Sequence, residues 1–191
     1  MALTGGLGAG KSTALGALER LGAAVLSSDR VVHDLYGTAE VRDAVVDRLG
    51  PDVAPGGVVD RRVVAERMFA GDADRGWIEA MLWPRVRQRM VDWRAEIDHR
   101  LPRPRAAVVE VPLLFESGME GAFDASIAVI ADEALRADRA AGRGHAAVAQ
   151  RTARQLSQQE KATRATYVVV NDGTPAELET ALSAVLDMLS G

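Results

Sequence analysis

The residues with the clearest chemical potential lie in one glycine-rich stretch near the start of the chain. Residues 5–13 read GGLGAGKST and fit the pattern G-x-x-x-x-G-K-[ST], with Lys11 and Ser12 as its last two members. Glycines allow the backbone to turn successive N–H groups toward one point, which favours a bound phosphate chain. A lysine adds positive charge for the β- and γ-phosphates, and a hydroxyl can reach Mg²⁺. The stretch predicts a nucleoside triphosphate site, and a solvated glycine-rich turn before a helix is the alternative.

Such a phosphate loop needs a strand before it and a helix after it. Apolar residues recur at helical spacing over 13–21, and Gly22 then provides a stop signal. The start of this helix adds unpaired N–H groups and the positive end of the helix dipole to the site. The predicted first strand has only three residues, Met1, Ala2 and Leu3, ahead of Thr4 and the loop. This predicted first strand is shorter than the about five residues of an ordinary strand.

The composition narrows the class of protein. The chain has 191 residues, is 48% hydrophobic and contains no cysteine, which predicts one packed core, or one core with an insertion, and excludes disulfides and thiolate metal sites. A net charge of −4 argues against partners such as nucleic acid or an anionic membrane. No apolar run approaches membrane-spanning length, and no signal peptide is recognisable. We therefore expect a soluble, cytoplasmic protein, with a monomer favoured.

Lysine is scarce in this chain. Of the 23 Lys and Arg residues, only Lys11 and Lys161 are lysines. Where arginine is the usual cation, a remaining lysine indicates a site that needs a compact ammonium group. Lys11 fits this interpretation, and Lys161 is singled out for the same reason, although a solvated surface charge would also account for it.

A second candidate site follows the predicted second strand at residues 23–26. Asp29 could cap the helix predicted over residues 30–36, as could Ser28, by accepting its first N–H groups. Alternatively, Asp29 acts as a general base or a Mg²⁺ partner, because the carboxyl ends of parallel strands line the ligand crevice. His33, one turn later, is either a surface residue or a substrate contact.

Residues 37–104 have a different character, and we predict a helical insertion without strands of its own. Helices are predicted over 39–49 with Thr38 as cap, over 60–69, and over 73–99 as one helix or two with a kink or break at Trp83-Pro84. Trp77, Trp83 and Trp93 are assigned to packing in preference to ligand stacking.

Three further strands are predicted after the insertion, over residues 106–111, 125–130 and 167–170. Glu110 lies near the end of the first of them, where a buried charge needs compensation. Glu110 is a candidate for the acidic group that holds Mg²⁺ through water. The alternative is a glutamate that is exposed at the edge of the sheet. Pro175 opens a last helix that runs to Met188. Because strands alternate with helices, the prediction is an α/β fold of the P-loop NTPase type, with a five-stranded parallel sheet flanked by helices.

An arginine-rich helical hairpin is predicted over residues 132–156, with a break at 142–145. Such a hairpin could close over the nucleotide as a lid and neutralise charge on the transferring phosphoryl group. A solvated helical face is the alternative. Its arginines are Arg136, Arg139, Arg143, Arg151 and Arg154.

Together these motifs resemble the dephospho-CoA kinase family over nearly the whole chain. The resemblance rests on residues 3–13, on Asp29 with His33, on 58–61 and 68–69, on the PLLFE sequence at 112–116, on Arg139 with Arg143 and Gly144, on 151–155, and on Lys161, Asn171 and Gly173. The sequence departs from the family pattern at Ser27, at Glu110 and at Trp83, where the family usually has Asp, Asp and His.

The resemblance implies phosphoryl transfer from ATP to the ribose 3′-hydroxyl of dephospho-CoA, with Mg²⁺ as cofactor and both substrates as small-molecule partners. It implies a nucleotide-binding core over 1–36 and 105–191 and a substrate-binding insertion over 37–104. The catalytic residues would be Asp29, Lys11, Arg139 and Arg143. The ATP-binding residues would be Gly6, Gly8, Ala9, Gly10, Lys11, Ser12, Thr13, Arg139 and Asn171. The acceptor would contact Asp29, His33, Leu113, Phe115 and Glu116, and the metal would contact Ser12 and Glu110.

Two other functions stay open at this point. Another small-molecule P-loop kinase would share the phosphate loop but use a different acceptor. A catalytically weakened nucleotide-binding paralogue would retain the loop without turnover, and the serine at position 27 is its main support.

Overall fold

The computed structural model describes residues 1–141 and 155–189, and its centre is a five-stranded sheet. All four pairs of neighbouring strands are parallel, and the order across the sheet is β2-β3-β1-β4-β5. The strands are β1 Ala2–Gly5, β2 Ala24–Ser27, β3 Ala107–Glu110, β4 Ser126–Ile130 and β5 Tyr167–Val170. The predicted five-stranded parallel sheet is confirmed.

Strand β1 occupies the middle of this sheet. Leu3 is paired with Glu110 of β3 on one side and with Ile127 of β4 on the other. All four residues of β1 are buried, as expected for a parallel strand covered on both faces. The strand therefore extends two residues further than Leu3, the end of its predicted span, and its last residue is the first glycine of the phosphate loop.

The helices next to the sheet are α1 Lys11–Arg20, α6 Glu133–Ala141, α7 Gln158–Arg164 and α8 Pro175–Met188. Helices α1 and α8 contribute Leu18 and Leu182 to the main apolar core, together with Leu3 and Ile127 of the sheet. The predicted last helix is confirmed at both ends. Thr174 caps it through a capping box with Glu177, and Pro175 occupies its first turn.

The chain divides into two compact units, residues 1–27 with 96–191 and residues 28–95. The second unit carries α2 Ser28–Tyr36, α3 Ala39–Leu49, α4 Arg61–Ala70 and most of α5 Asp72–Asp98. Its backbone is described throughout and contains no strand, as predicted. Thr38 caps α3 as expected, and Asp60 caps α4 by accepting from the N–H groups of Arg62 and Val63.

The core of the second unit is aliphatic and separate from the core around the sheet. Its buried members include Val41 and Val45 of α3, Val64 of α4, and Ile78 and Leu82 of α5. The packing role predicted for the tryptophans is confirmed for Trp93 and for Trp77, which packs against this core. Trp93 is buried, whereas Trp77 and Trp83 are half-buried, and the guanidinium of Arg48 lies 5.9 Å from the ring centre of Trp77.

Helix α5 continues through Pro84, so the predicted break there is wrong and the single-helix alternative is confirmed. A proline removes one N–H from a helix and crowds the preceding turn. Here the guanidinium of Arg85 donates to the carbonyl oxygen of Met81 at 2.7 Å, on the turn that precedes the proline. None of the helices that the structure describes is long and apolar enough to cross a membrane.

Candidate nucleotide-binding site

The phosphate loop joins the end of β1 to the start of α1. Gly8 has φ 77° and Gly10 has φ 93°, both in the left-handed region that favours glycine. Gly10 precedes the first turn of α1 and offers no capping side chain. The N–H groups in the first turn of a helix have no partner within the helix, which favours an anion there. Ser12 and Thr13 are exposed in this first turn. This arrangement is the one predicted from the spacing of the motif.

The ammonium group of Lys11 lies at the entrance of the loop. It donates to the carbonyl oxygens of Gly5 and Gly6, each at 3.0 Å. The side chain is half-exposed, so its charge remains accessible. A compact ammonium on backbone carbonyls can exchange them for phosphate oxygens without a change in the loop itself.

Asn171 supports the loop from the end of β5. It is buried, and its side-chain amide donates to the carbonyl oxygen of Ala9 at 2.8 Å. Its own backbone N–H donates to Ile130 at 2.8 Å, which continues the pairing of β5 with β4. A side chain at position 10 would collide with the amide nitrogen of Asn171. Asn171 and Gly10 therefore depend on each other for the shape of the loop.

Two arginines of α6 contact this region. Arg136 donates through Nε to the carbonyl oxygen of Leu7 at 3.0 Å and forms an ion pair with Glu133 at 2.6 Å. Arg139 donates to the backbone carbonyl oxygen of Asn171 at 3.0 Å. Arg136 belongs to the predicted arginine-rich hairpin, but it is not among the individually predicted site residues. Its position one turn before Arg139 was the available signal.

The position of Arg136 also accounts for the absence of a side chain at two positions of the loop. An added side chain at Gly8 would collide with the backbone carbonyl of Arg136, and one at Gly6 would press on its guanidinium. Of the predicted lid over 132–156, the structure describes 132–141 and 155–156. Arg143, Arg151 and Arg154 lie outside the described residues.

Glu110 ends strand β3, which lies between β1 and β2 in the sheet. It is paired in register with Ser27 of β2 and Leu3 of β1, and it is buried. The alternative of an edge-exposed glutamate is wrong, because β3 is an interior strand. Within residues 1–141 and 155–189, no group of three or more His, Cys, Asp and Glu side chains is arranged to hold a metal ion.

Asp29 and His33 belong to the other compact unit. Both lie on α2 and are exposed, four residues apart and hence on one face of the helix. Helix α2 already begins at Ser28, so Asp29 lies inside its first turn. A cap precedes the first turn. The capping interpretation of Asp29 therefore does not fit the structure.

The segment 112–116 follows β3 and differs from residue to residue in exposure. Leu113 is 39% exposed, whereas Leu114 and Phe115 are buried. Glu116 is half-buried and forms an ion pair with Lys161 at 2.7 Å. Lys161 is fully buried, so the interpretation of a solvated surface lysine is wrong.

These features define the class of protein. A parallel sheet with a phosphate loop between its central strand and the following helix is the nucleotide-binding core of the P-loop kinases. Comparison with known proteins then identifies the family. A family model described as dephospho-CoA kinase matches residues 1–177, and the chain belongs to this family.

Individual relatives agree with this assignment. A dephospho-CoA kinase from Deinococcus radiodurans is 38% identical, with 99% of this chain and 91% of the relative covered. A dephospho-CoA kinase from Moorella thermoacetica is 39% identical, with 90% and 82% covered. A Thermus thermophilus protein of known crystal structure is 33% identical in sequence and has a TM-score of 0.81. The match covers 100% of this chain and 97% of that one. A dephospho-CoA kinase from Campylobacter jejuni is 22% identical with a TM-score of 0.70, over 99% of this chain and 96% of that one, and supports the fold.

Proposed function

We propose that this protein transfers the terminal phosphoryl group of ATP to the ribose 3′-hydroxyl of dephospho-CoA, giving coenzyme A and ADP, the last step of coenzyme A biosynthesis. The observation that carries the proposal is the phosphate loop with the ammonium of Lys11 at its entrance, in a chain that belongs to this kinase family. The acceptor oxygen forms a bond to the γ-phosphorus while the bond from that phosphorus to the β,γ-bridging oxygen breaks. The hydroxyl proton leaves to a base.

The phosphate end of ATP is assigned to the loop and the start of α1. Backbone N–H groups of the loop and the charge of Lys11 neutralise the phosphates, and they also stabilise charge on the phosphoryl group during transfer. Arg139 adds a second cation near Asn171, and Arg143 is proposed to act with it. The full set proposed to bind ATP is Gly6, Gly8, Ala9, Gly10, Lys11, Ser12, Thr13, Arg139 and Asn171.

We propose that the same site also takes Mg²⁺. This cation prefers oxygen and is held in kinases by one or two protein groups together with phosphate oxygens, so a preformed cluster of three side chains is not needed. Ser12 offers an exposed hydroxyl at the start of α1, and Glu110 offers a carboxylate at the end of β3. The donor set therefore fits, and we propose Ser12 and Glu110 as its partners. When bound, the cation would neutralise charge on the phosphates.

The acceptor is assigned to Asp29 and His33 of α2 and to the segment 112–116. Asp29 is proposed to orient the 3′-hydroxyl and take its proton, since its carboxylate is exposed and carried on a helix. His33 is exposed on the same face and is proposed as an acceptor contact. Leu113 is exposed and is proposed as the apolar contact between the segment and the acceptor. Phe115 and Glu116 are less exposed and are proposed to define the shape of the segment.

Purified protein tests this function directly. With Mg-ATP and dephospho-CoA we expect ADP and coenzyme A in equal amounts, whereas ATP alone should give only background hydrolysis. A panel of other small hydroxyl acceptors is the control. If dephospho-CoA yields no ADP above background while another acceptor does, the proposed substrate is wrong. If ATP binds but no acceptor is turned over, the catalytic assignment is wrong.

A further inference from the structure

The buried lysine on α7 has no role in the chemistry assigned so far. Lys161 is 0% exposed, on a short helix whose other residues, apart from Ala162, are polar. Ser157 and Glu160 fix the start of α7 through a capping box, so the helix has a defined first turn. Burial of an ammonium group is unfavourable unless acceptors surround it. The partners of Lys161 therefore indicate what it does.

Its ammonium joins the two ends of the segment 112–116. Nζ donates to the carbonyl oxygen of Pro112 at 2.7 Å and pairs with Oε1 of Glu116 at 2.7 Å. The same Oε1 accepts from the N–H of Leu156 at 2.8 Å. Within the part of the chain that is described, the other oxygen of Glu116 is buried without a hydrogen-bond partner. The negative charge of Glu116 therefore depends strongly on Lys161.

A second side chain of α7 contacts the same segment. Arg164, three residues after Lys161, has its guanidinium 4.8 Å from the ring centre of Phe115 and forms an ion pair with Glu120 at 2.5 Å. Residues three apart lie on one face of a helix, so this face of α7 is directed at the segment. The two contacts differ in exposure, since Arg164 is exposed and Lys161 is buried.

The electrostatics of Lys161 are balanced between two opposing effects. Burial lowers the pKa of Lys161 below its ordinary value, whereas the hydrogen bond and charge of Glu116 raise it. Loss of either partner would leave the other charge buried and unpaired, which is far more costly than the loss of an exposed pair. An arginine could not replace the compact ammonium without a larger cavity.

We infer that Lys161 is a positioning residue, which acts through Glu116 and Pro112 to fix the segment 112–116 and so presents Leu113 to the acceptor substrate. The inference rests on the proposed function for its second half, because only that function assigns the acceptor to this segment. The first half, the fixing of the segment, stands on the contacts of Lys161 alone.

Two measurements on Lys161→Met test these halves separately. Amide hydrogen exchange should become about tenfold faster or more at residues 113–116, because their fixed conformation depends on a buried charged pair. The value of kcat/KM for dephospho-CoA should fall about tenfold or more, while the Kd for ATP changes by less than about threefold, since the phosphate loop is not contacted. Gln159→Met, at an exposed position of the same helix, is the matched control and should leave both unchanged.

A second variant covers the case in which Lys161→Met does not fold. Glu116→Gln combined with Lys161→Met removes both charges, so no unpaired buried charge destabilises the chain. Exchange at 113–116 should still be faster than in the wild type, because the carbonyl oxygen of Pro112 loses the shorter of its two hydrogen bonds, 2.7 Å from Lys161 against 3.4 Å from the hydroxyl of Thr4. Wild-type exchange and wild-type kcat/KM in a folded variant would overturn the inference. If the wild type itself does not turn over dephospho-CoA, the proposed function fails, and the exchange result still decides whether Lys161 fixes the segment.

Discussion

Gly10→Ala is the substitution that tests most directly how the phosphate loop is held in shape. Gly10 has φ 93°, and an added Cβ would collide with the side-chain nitrogen of Asn171. That nitrogen donates to Ala9 at 2.8 Å. The alanine would therefore impose two costs, a strained backbone and the displacement of a buried hydrogen-bond donor. Gly22→Ala imposes only the first, because its φ is 91° and its nearest neighbouring atom is 3.6 Å away.

The two costs have different sizes. A left-handed conformation costs a residue other than glycine about 1–2 kcal/mol. A buried polar group that loses its partner costs about 1–3 kcal/mol more. We expect Gly22→Ala to lower the free energy of unfolding by about 1–2 kcal/mol and Gly10→Ala by about 2–5 kcal/mol. Both glycines lie in the same compact unit, so the difference between the two variants isolates the collision with Asn171.

Urea unfolding of the two variants, together with ATP binding by calorimetry, provides the comparison. Gly10→Ala should also weaken ATP binding, whereas Gly22→Ala should leave the Kd for ATP unchanged. In the double variant Gly10→Ala with Asn171→Ala, the loss in free energy of unfolding should be smaller than the sum of the losses in the two single variants. The reason is that Asn171→Ala removes the side chain that Gly10→Ala displaces. Equal losses of stability for Gly10→Ala and Gly22→Ala, with strictly additive effects in the double variant, would refute the reasoning.

Three other substitutions test the site and its surroundings. Lys11→Ala should weaken ATP binding about tenfold or more and lower turnover, and retained affinity and rate would count against the role of the loop. Asp29→Asn should lower kcat by about 10²-fold or more with ATP affinity largely intact, and an equally fast variant would exclude Asp29 as the base. The backbone N–H and hydroxyl of Thr174 lower the pKa of Glu177 below 4.5. The carboxylate therefore contributes stability above pH 4.5 that is lost as the pH falls through its folded-state pKa. When the pH is lowered below 4.5, the free energy of unfolding of Glu177→Gln should fall by less than that of the wild type. An unchanged slope of unfolding free energy against pH in that variant would contradict this.

The phosphate loop and the sheet could be predicted from the sequence because their signals are local. The spacing of Gly5, Gly10 and Lys11 specifies a backbone shape, and Thr174 with Pro175 specifies where the last helix begins. Runs of apolar residues between helices are typical of a parallel sheet, but they contain no information on strand order. Whether Glu110 is buried or lies at an edge depends on this strand order, in which β3 lies between β1 and β2.

The parts that sequence reasoning missed depend on contacts distant in the chain. Helix α7 was not predicted, since its inward-facing residue is Lys161 and a charged residue does not contribute to a hydrophobic period. The contact of Arg136 with Leu7 joins residues 129 positions apart. The roles of Asp29, His33 and Glu116 toward the acceptor stay predictions.

The central place of β1 has a consequence for how the chain folds during synthesis. Ala2 pairs with Val109 and with Ser126, so both neighbours of the first strand emerge from the ribosome more than one hundred residues after it. At about 5–20 residues per second, this strand waits on the order of 5–20 seconds with its apolar residues and backbone unpaired. Residues 28–95 have an apolar core of their own and are complete before then. We therefore expect the capacity to bind nucleotide to appear only after β3 and β4 are made, although its sequence motif is translated before them.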